Sequence, residues 1–150
     1  MSQNISYWTR VTWKGEHCGH IVMGNGPDMD FSAPPDAQGH AGVLTPEDAF
    51  VAAVNTCIMM MFLWSCERLK INLLTYECQA EGTKVIELDH TEIFTQIRLV
   101  PQIRVKADDE TSASVKDRIQ RALKSAQKYS LVANSIRSEV IIEPTIMITQ

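Results

Sequence analysis

The sequence has few of the features that mark several large classes of protein. It contains four cysteines in 150 residues and no Cys-x-x-Cys pair, which excludes a disulfide-rich scaffold. Its 14 basic residues are outnumbered by 18 acidic ones, so no basic excess is available to neutralise phosphates. A nucleic-acid partner is therefore not expected. Repeats, low-complexity tracts and linkers are also lacking, which favours a single domain over residues 1–150.

The beginning of the sequence lacks the apolar core of a secretory signal. The first ten residues are MSQNISYWTR, and they contain no run of apolar side chains. Together with the low cysteine count, this indicates a cytoplasmic protein whose thiols stay reduced. The hydrophobic fraction of 45% and the charged fraction of 21% are ordinary values for a globular protein.

One long hydrophobic run is present. Ala49–Cys66 extends for 18 residues without a charge, which is the lower limit for a membrane span. Polar residues such as Asn55 and Ser65 interrupt it, and acidic residues precede it directly. We interpret it as a helix that is apolar all round and is buried in a core or at a subunit interface, so no membrane partner is expected.

Alternation of apolar and polar residues predicts three strands before this run. They are Ile5–Trp13, Cys18–Met23 and Met29–Phe31. The first is predicted to be half-buried, because its apolar residues share one face. A turn over Gly24–Asp28 joins the second and third strands, and the loop Ser32–Leu44 follows them. Loops of this length often border binding sites.

Two helices and further strands are predicted in the rest of the chain. Thr45 is a helix N-cap followed by Pro46, and this helix should end near Leu69. The other expected elements are a strand over Leu73–Ala80, two strands within Val85–Lys106 around Pro101, an amphipathic helix opened by Asp108-Asp109, a connecting element over Ser130–Ile136, and a strand over Val140–Thr149 broken by Pro144. The order of elements indicates one α+β domain.

Cys57 is the main candidate for chemistry. It lies in the middle of the apolar helix, directly after Asn55 and Thr56. A buried structural cysteine is the common fate of this residue type. Two polar residues in an apolar helix carry a cost that is acceptable if they line a site, which is the argument for a functional thiol. The residues alone leave both interpretations open.

The other cysteines and the histidines are weaker candidates. Cys78 is in phase with apolar residues on one face of its strand, so packing explains it. Cys66 is half a helical turn away from Cys57 in angle and about 13.5 Å away along the axis, which excludes a disulfide between them. The segment His17-Cys18-Gly19-His20 contains residue types that bind metals, but the sequence has no second pair of such residues elsewhere. Neither a metal nor another cofactor is therefore expected.

The segment Thr45–Cys57 (TPEDAFVAAVNTC) resembles the OsmC/Ohr family of thiol-dependent hydroperoxide reductases. The shared pattern is a helix-opening Pro-Glu-Glu/Asp followed by the reactive cysteine ten residues after the glutamate. The resemblance implies antiparallel strands around a long buried central helix, an amphipathic helix, and an intertwined homodimer with two sites at its interface. It also implies that Cys57 attacks the peroxide and that Glu47 is the active-site glutamate.

The sequence departs from the family pattern at two positions. The family usually has a second, resolving cysteine in a motif like Lys-Tyr-Cys, and the matching segment here is Lys128-Tyr129-Ser130. A serine cannot trap a sulfenic acid as a disulfide, although Ser130 can donate a hydrogen bond to the thiolate. The Ohr branch also has an arginine in a turn after the first strand, and Gly15–Gly19 contains none.

Two functions of different kinds follow from these observations. The first is a hydroperoxide reductase that uses Cys57 alone and an external thiol to reduce an organic hydroperoxide. The second is a catalytically impaired dimer, either regulatory or binding a small hydrophobic molecule near Met59–Phe62. In one straight helix, Glu47 and Cys57 would lie about 15 Å apart along the axis. They can meet only if the helix breaks near Phe50 or if two chains build the site.

Overall fold

A computed structural model describes residues 2–108 and 112–150, with no description of the Ser112 side chain. The chain forms two compact units, Met1–Phe50 and Val51–Gln150. The boundary between them falls within the first long helix. The predicted opening of the second long helix at Asp108-Asp109 includes Asp109, which lies outside the described residues.

The first unit contains a three-stranded antiparallel sheet. Its strands, in sheet order, are β1 (Thr9–Trp13), β2 (Cys18–Met23) and β3 (Asp28–Ser32). Gly26 has a φ of 119° in the turn between β2 and β3, where the absence of a side chain permits this left-handed backbone. A short 3₁₀ helix, Pro35–Ala37, lies within the predicted loop. The three predicted strands are thus present.

The prediction that the first strand is half-buried is wrong for a single chain. β1 starts at Thr9 rather than at Ile5, and all five of its residues are exposed. Val11 is 62% and Trp13 is 76% exposed, so the apolar face that alternation identified has no cover within one copy. The pattern was correct about periodicity, but it does not say which surface covers the face.

The first long helix, α1 (Pro46–Arg68), begins where the sequence predicted it. The Thr45 hydroxyl accepts a hydrogen bond from the Asp48 backbone N–H at 3.1 Å, and the Thr45 carbonyl accepts one from the Ala49 N–H at 2.9 Å. The side-chain bond satisfies one of the N–H groups that a helix N-terminus leaves without partners. Acidic residues in the first turn complement the helix dipole.

Replacing Thr45 with alanine should lower the free energy of unfolding by about 1 kcal/mol, because the Asp48 N–H then loses its acceptor. Urea denaturation followed by circular dichroism measures this as a lower midpoint at an unchanged slope. Thr45→Ser keeps the hydroxyl oxygen and should retain most of the stability. Equal midpoints for the alanine variant and the wild type would contradict the capping role.

One face of α1 is buried within the single chain, and burial of its other faces at a subunit interface stays a prediction. The buried residues within the second unit are Val54, Ile58, Phe62, Ser65 and Cys66. Phe62 packs against the Tyr76 ring, with the ring centroids 5.4 Å apart. Within the described residues, α1 is the one helix long and apolar enough to cross a membrane, and 28% of its apolar window is buried.

The second unit contains a mixed four-stranded sheet. A long hairpin of β4 (Leu73–Ile86) and β5 (Glu92–Lys106) forms its antiparallel part. β6 (Glu139–Ile142) and β7 (Thr145–Thr149) both pair with β5 in parallel, whereas the resemblance implied antiparallel strands. The predicted break of the last strand at Pro144 is present, since β6 and β7 lie on either side of it.

The expectation of two strands around Pro101 is wrong, because β5 continues through this residue. β6 pairs with β5 as far as Leu99, and β7 begins to pair with it at Gln102. Pro101 therefore lies in the gap between two partner strands, where its missing N–H leaves no ladder hydrogen bond unmade on that side.

Two helices complete the second unit. α2 (Ser112–Tyr129) buries the predicted apolar stripe, and α3 (Leu131–Asn134) follows directly. The stripe consists of Val115, Ile119, Ala122, Leu123 and Ala126. Arg118, on α2, donates from Nη1 to the Leu69 carbonyl at 2.8 Å and the Lys70 carbonyl at 3.2 Å. It thereby caps the C-terminal end of α1, where the dipole favours a cation.

Candidate functional site

The structure brings Cys57 and Ser130 together, although 73 residues separate them in the sequence. The Ser130 hydroxyl donates a hydrogen bond to the Cys57 sulfur, with an Oγ–Sγ distance of 3.0 Å. Ser130 is fully buried, and Cys57 is half-buried. Among the described residues, Ser130 is the one side chain that hydrogen-bonds to this sulfur. The residue at the position of the resolving cysteine therefore contacts the candidate nucleophile.

The position of Ser130 is fixed by its role at the start of α3. Ser130 is the N-cap of this helix, and its Oγ accepts a hydrogen bond from the Ala133 backbone N–H at 3.1 Å. Because the oxygen already accepts from Ala133, the hydroxyl proton is directed to the sulfur. The hydrogen bond therefore holds the Cys57 sulfur beside the start of α3.

Glu47 is not brought to Cys57 along the helix. α1 is continuous from Pro46 to Arg68, so the break near Phe50 that the sequence left open is absent. Ten helical residues correspond to about 15 Å along the axis. Glu47 Oε1 is buried without a hydrogen-bond partner among the described residues. A buried carboxylate oxygen without a partner is energetically costly.

The two polar residues before Cys57 have structural partners. Asn55 Nδ2 donates to the Cys78 carbonyl at 3.1 Å, which joins α1 to β4. The Thr56 hydroxyl donates to the Ala52 carbonyl of the same helix at 2.8 Å. The argument that these residues line a site is therefore not supported, since their hydrogen bonds explain their presence. The hypothesis that Cys57 is a functional thiol rests instead on its hydrogen bond with Ser130.

Two of the other three cysteines lie in environments that disfavour a thiolate. Burial raises the pKa of Cys66 to about 11, with a smaller contribution from the charge of Glu67. Burial also raises the pKa of Cys78. Both thiols are therefore protonated at neutral pH and are poor nucleophiles.

Of the segment His17–His20, His20 is ion-paired with two carboxylates of β3. His20 Nδ1 lies 2.7 Å from Asp30 Oδ1, and His20 Nε2 lies 2.9 Å from Asp28 Oδ2. Hydrogen bonds from Asp30 and Asp28 raise the pKa of His20 above its usual value. Since both ring nitrogens are occupied, His20 is not free to bind a metal. No group of three or more metal-ligating side chains is found in residues 2–108 and 112–150.

A cavity of about 310 Å³ lies between α1 and α2. Its lining residues are Met61, Trp64, Ser65, Arg68, Ser125 and Tyr129. Met59–Phe62 were predicted from the sequence as a possible ligand site, but only Met61 of these residues lines the cavity, and Phe62 is in the core. Trp64 and Arg68 were not predicted, although helical spacing places them on the same face of α1 as Cys57, seven and eleven residues further on.

Comparisons with known proteins agree with this fold. An OsmC-like protein from Vibrio cholerae, of unknown function, is 21% identical with a TM-score of 0.84, covering 95% of this chain and 100% of that one. An organic hydroperoxide resistance protein OsmC from Legionella pneumophila is 16% identical with a TM-score of 0.67, covering 97% and 99%. The organic hydroperoxide resistance protein OhrB of Bacillus subtilis is 19% identical with a TM-score of 0.60, covering 95% and 98%.

These structural similarities concern the fold, because each identity is below 25%. The search of curated proteins gave no match. The sequence model described as OsmC-like protein matches residues 39–145, which is more than half of the chain and includes Glu47, Cys57 and Ser130. The protein belongs to the OsmC-like family.

Proposed function

We propose that this protein is a thiol-dependent organic hydroperoxide reductase that uses Cys57 as its one redox-active cysteine. The observation that carries the proposal is the 3.0 Å hydrogen bond from the buried Ser130 hydroxyl to the Cys57 sulfur. Further support comes from the family and from the hydroperoxide resistance proteins that share the fold. The activity, the roles of Cys57, Glu47 and Ser130, and the cytoplasmic location are all parts of this proposal.

The first step is a two-electron oxidation of Cys57. The Cys57 thiolate attacks the terminal oxygen of the hydroperoxide ROOH, an S–O bond forms, and the O–O bond breaks. The sulfur becomes a sulfenic acid, Cys–SOH. The alkoxide is the leaving group, and it takes up a proton to become the alcohol ROH. The donor hydroxyl of Ser130 holds the sulfur in place at an Oγ–Sγ distance of 3.0 Å.

The second step must differ from that of a two-cysteine enzyme, because Ser130 cannot form a disulfide. An external thiol R′SH attacks the sulfenic acid, giving the mixed disulfide Cys–S–SR′ and water. A second R′SH then releases the Cys57 thiol and the disulfide R′SSR′. We propose this route because Cys66 and Cys78, with their raised pKa values, are poor internal substitutes.

We also propose that the protein works as a homodimer. β1 exposes Val11 and Trp13, and α1 exposes Trp64 to 57%, so a single chain leaves large apolar side chains in water. A second copy would cover such surfaces. The unbroken α1 leaves the assembly of two chains as the remaining way for Glu47 and Cys57 to meet.

Trapping the sulfenic acid tests the proposal. After one equivalent of an organic hydroperoxide and addition of dimedone, peptide mass spectrometry should find the label on Cys57 and not on Cys66 or Cys78. The control is Cys57→Ser, which should take up no label at all. An unlabelled Cys57 in folded protein, with the hydroperoxide unconsumed, would overturn the proposed function.

A further inference from the structure

Ser130 lies at the hinge between the last two helices. α2 ends at Tyr129 and α3 begins at Leu131, so Ser130 is the one residue between them. Its backbone is extended, with a φ of −68° and a ψ of 117°, whereas its neighbours are helical. The direction of α3 relative to α2 is therefore set at this residue. Because the Ser130 hydroxyl meets the Cys57 sulfur at 3.0 Å, the geometry of the hinge also sets this contact.

Asn134 forms a hydrogen bond across this hinge. Its Nδ2 donates to the Lys128 carbonyl at 2.9 Å, which links the end of α3 to the last turn of α2. The last four carbonyls of a helix have no donor within the helix, so the Lys128 carbonyl is available to a donor from outside it. The two bonded residues lie on opposite sides of Ser130 in the chain. The bond therefore limits the angle at which the two helices meet.

The main chain of α3 binds Ser130 directly. The Ala133 N–H donates to the Ser130 hydroxyl oxygen at 3.1 Å, and the Asn134 N–H donates to the Ser130 carbonyl at 3.0 Å. These two bonds fix Ser130 relative to α3, whereas the Asn134 side chain fixes α3 relative to α2. Since Asn134 is exposed, its side chain adds little by burial, and the hydrogen bond to Lys128 is its main contribution.

We propose that Asn134 is a positioning residue that holds the Ser130 hydroxyl against the Cys57 sulfur by closing the hinge between α2 and α3. Ser130 makes the contact with the sulfur, and Asn134 acts through Ser130. The corollary that Asn134 affects the rate of hydroperoxide reduction rests on the proposed function. The geometric part does not, because it concerns the contact between the two side chains and not the reaction of the thiol.

A disulfide equilibrium tests how firmly the hinge is held. In the Ser130→Cys protein, exchange of the disulfide between positions 57 and 130 with reduced and oxidised dithiothreitol gives an equilibrium constant, measured by peptide mass spectrometry of alkylated protein. A hydrogen bond that favours the geometry of the contact by a given factor raises this constant by up to the same factor. Adding Asn134→Ala should therefore lower the constant about fivefold, the effect of one ordinary hydrogen bond.

The matched control is Ser135→Ala. The Ser135 hydroxyl donates to the Leu131 carbonyl at 2.8 Å, so this bond has a similar length but lies wholly on one side of the hinge. Its loss should leave the disulfide constant unchanged. Alanine has a higher helix propensity than asparagine, so a weaker α3 would not explain a fall in the Asn134→Ala protein. Asn134→Leu keeps the size of the side chain without the donor and should give the same fall.

All variants are compared under conditions in which circular dichroism shows them to be folded. An unchanged constant in both Asn134 variants, or an equal fall in Ser135→Ala, would overturn the inference. With Ser130 intact, Asn134→Ala should also slow hydroperoxide consumption, and Ser135→Ala should not; equal rates in wild type and Asn134→Ala would overturn the corollary. If the wild type itself consumes no hydroperoxide, the proposed function fails, and the disulfide constants still decide the role of Asn134.

Discussion

Replacing Cys57 with serine should reduce the consumption of an organic hydroperoxide to the rate seen without protein, a loss of at least about a hundredfold. A serine hydroxyl is protonated at neutral pH and is a far weaker nucleophile than a thiolate, so the variant has no group to attack the O–O bond. The measurement follows hydroperoxide loss in the presence of a small dithiol. The wild type should complete many turnovers per protein molecule under these conditions.

The control for this experiment is Cys78→Ser, which also removes one thiol from the second unit. Cys78 contributes its backbone carbonyl to the contact with Asn55, and serine preserves this carbonyl. Because burial raises the pKa of the Cys78 thiol, it is a poor nucleophile, and its loss should leave the rate within about twofold of the wild type. Equal consumption by wild-type and Cys57→Ser protein would show that the peroxide reacts elsewhere or not at all.

Local signals predicted much of the fold correctly. The start of α1 depends on Thr45 and on the proline and acids that follow it, all within one turn, so the sequence carries the full information for it. The buried stripe of α2 likewise follows from helical spacing alone. Pro101 shows the limit of such signals. Its place in β5 is acceptable because β6 ends and β7 begins beside it, and this depends on residues some 40 positions away.

The candidate site was predictable to a smaller extent. The assignment of Glu47 and Cys57 as site residues, from their ten-residue spacing, came from a family resemblance. The physical argument for Cys57 was that Asn55 and Thr56 line a site, and it does not hold because both side chains have structural hydrogen-bond partners. The contact between Cys57 and Ser130 joins α1 to the start of α3. No local sequence pattern predicts a contact between residues that are 73 positions apart. Arg68 could have been found, because it is the cation of the last turn of α1 and shares a helix face with Cys57.

The contact between Cys57 and Ser130 makes a gain of function possible. In the Ser130→Cys variant, one equivalent of hydroperoxide should convert Cys57 to a sulfenic acid, which the new thiol attacks to form an intrachain disulfide and water. The present Oγ–Sγ distance is 3.0 Å. A disulfide bond is about 2.05 Å long, so the two sulfurs need to approach by about 1 Å.

The product of this reaction is identified by mass spectrometry. The intact variant should lose two hydrogen atoms, and a non-reduced digest should contain the peptide of Cys57 linked to the peptide of residue 130. The closed loop of more than 70 residues should also raise the free energy of unfolding, by up to about 4 kcal/mol in the chain-entropy description. The oxidised variant should therefore unfold at a higher urea concentration than its reduced form.

Ser130→Ala is the control, because it removes the hydroxyl without adding a thiol. It should form no disulfide, and it should react more slowly with hydroperoxide than the wild type, since the donor to the Cys57 sulfur is gone. If Ser130→Cys instead accumulates sulfinic acid at Cys57 with residue 130 still a free thiol, the two side chains do not meet in solution as the 3.0 Å contact requires. Disulfide formation would show that the serine at this position alone separates a one-cysteine cycle from a two-cysteine cycle.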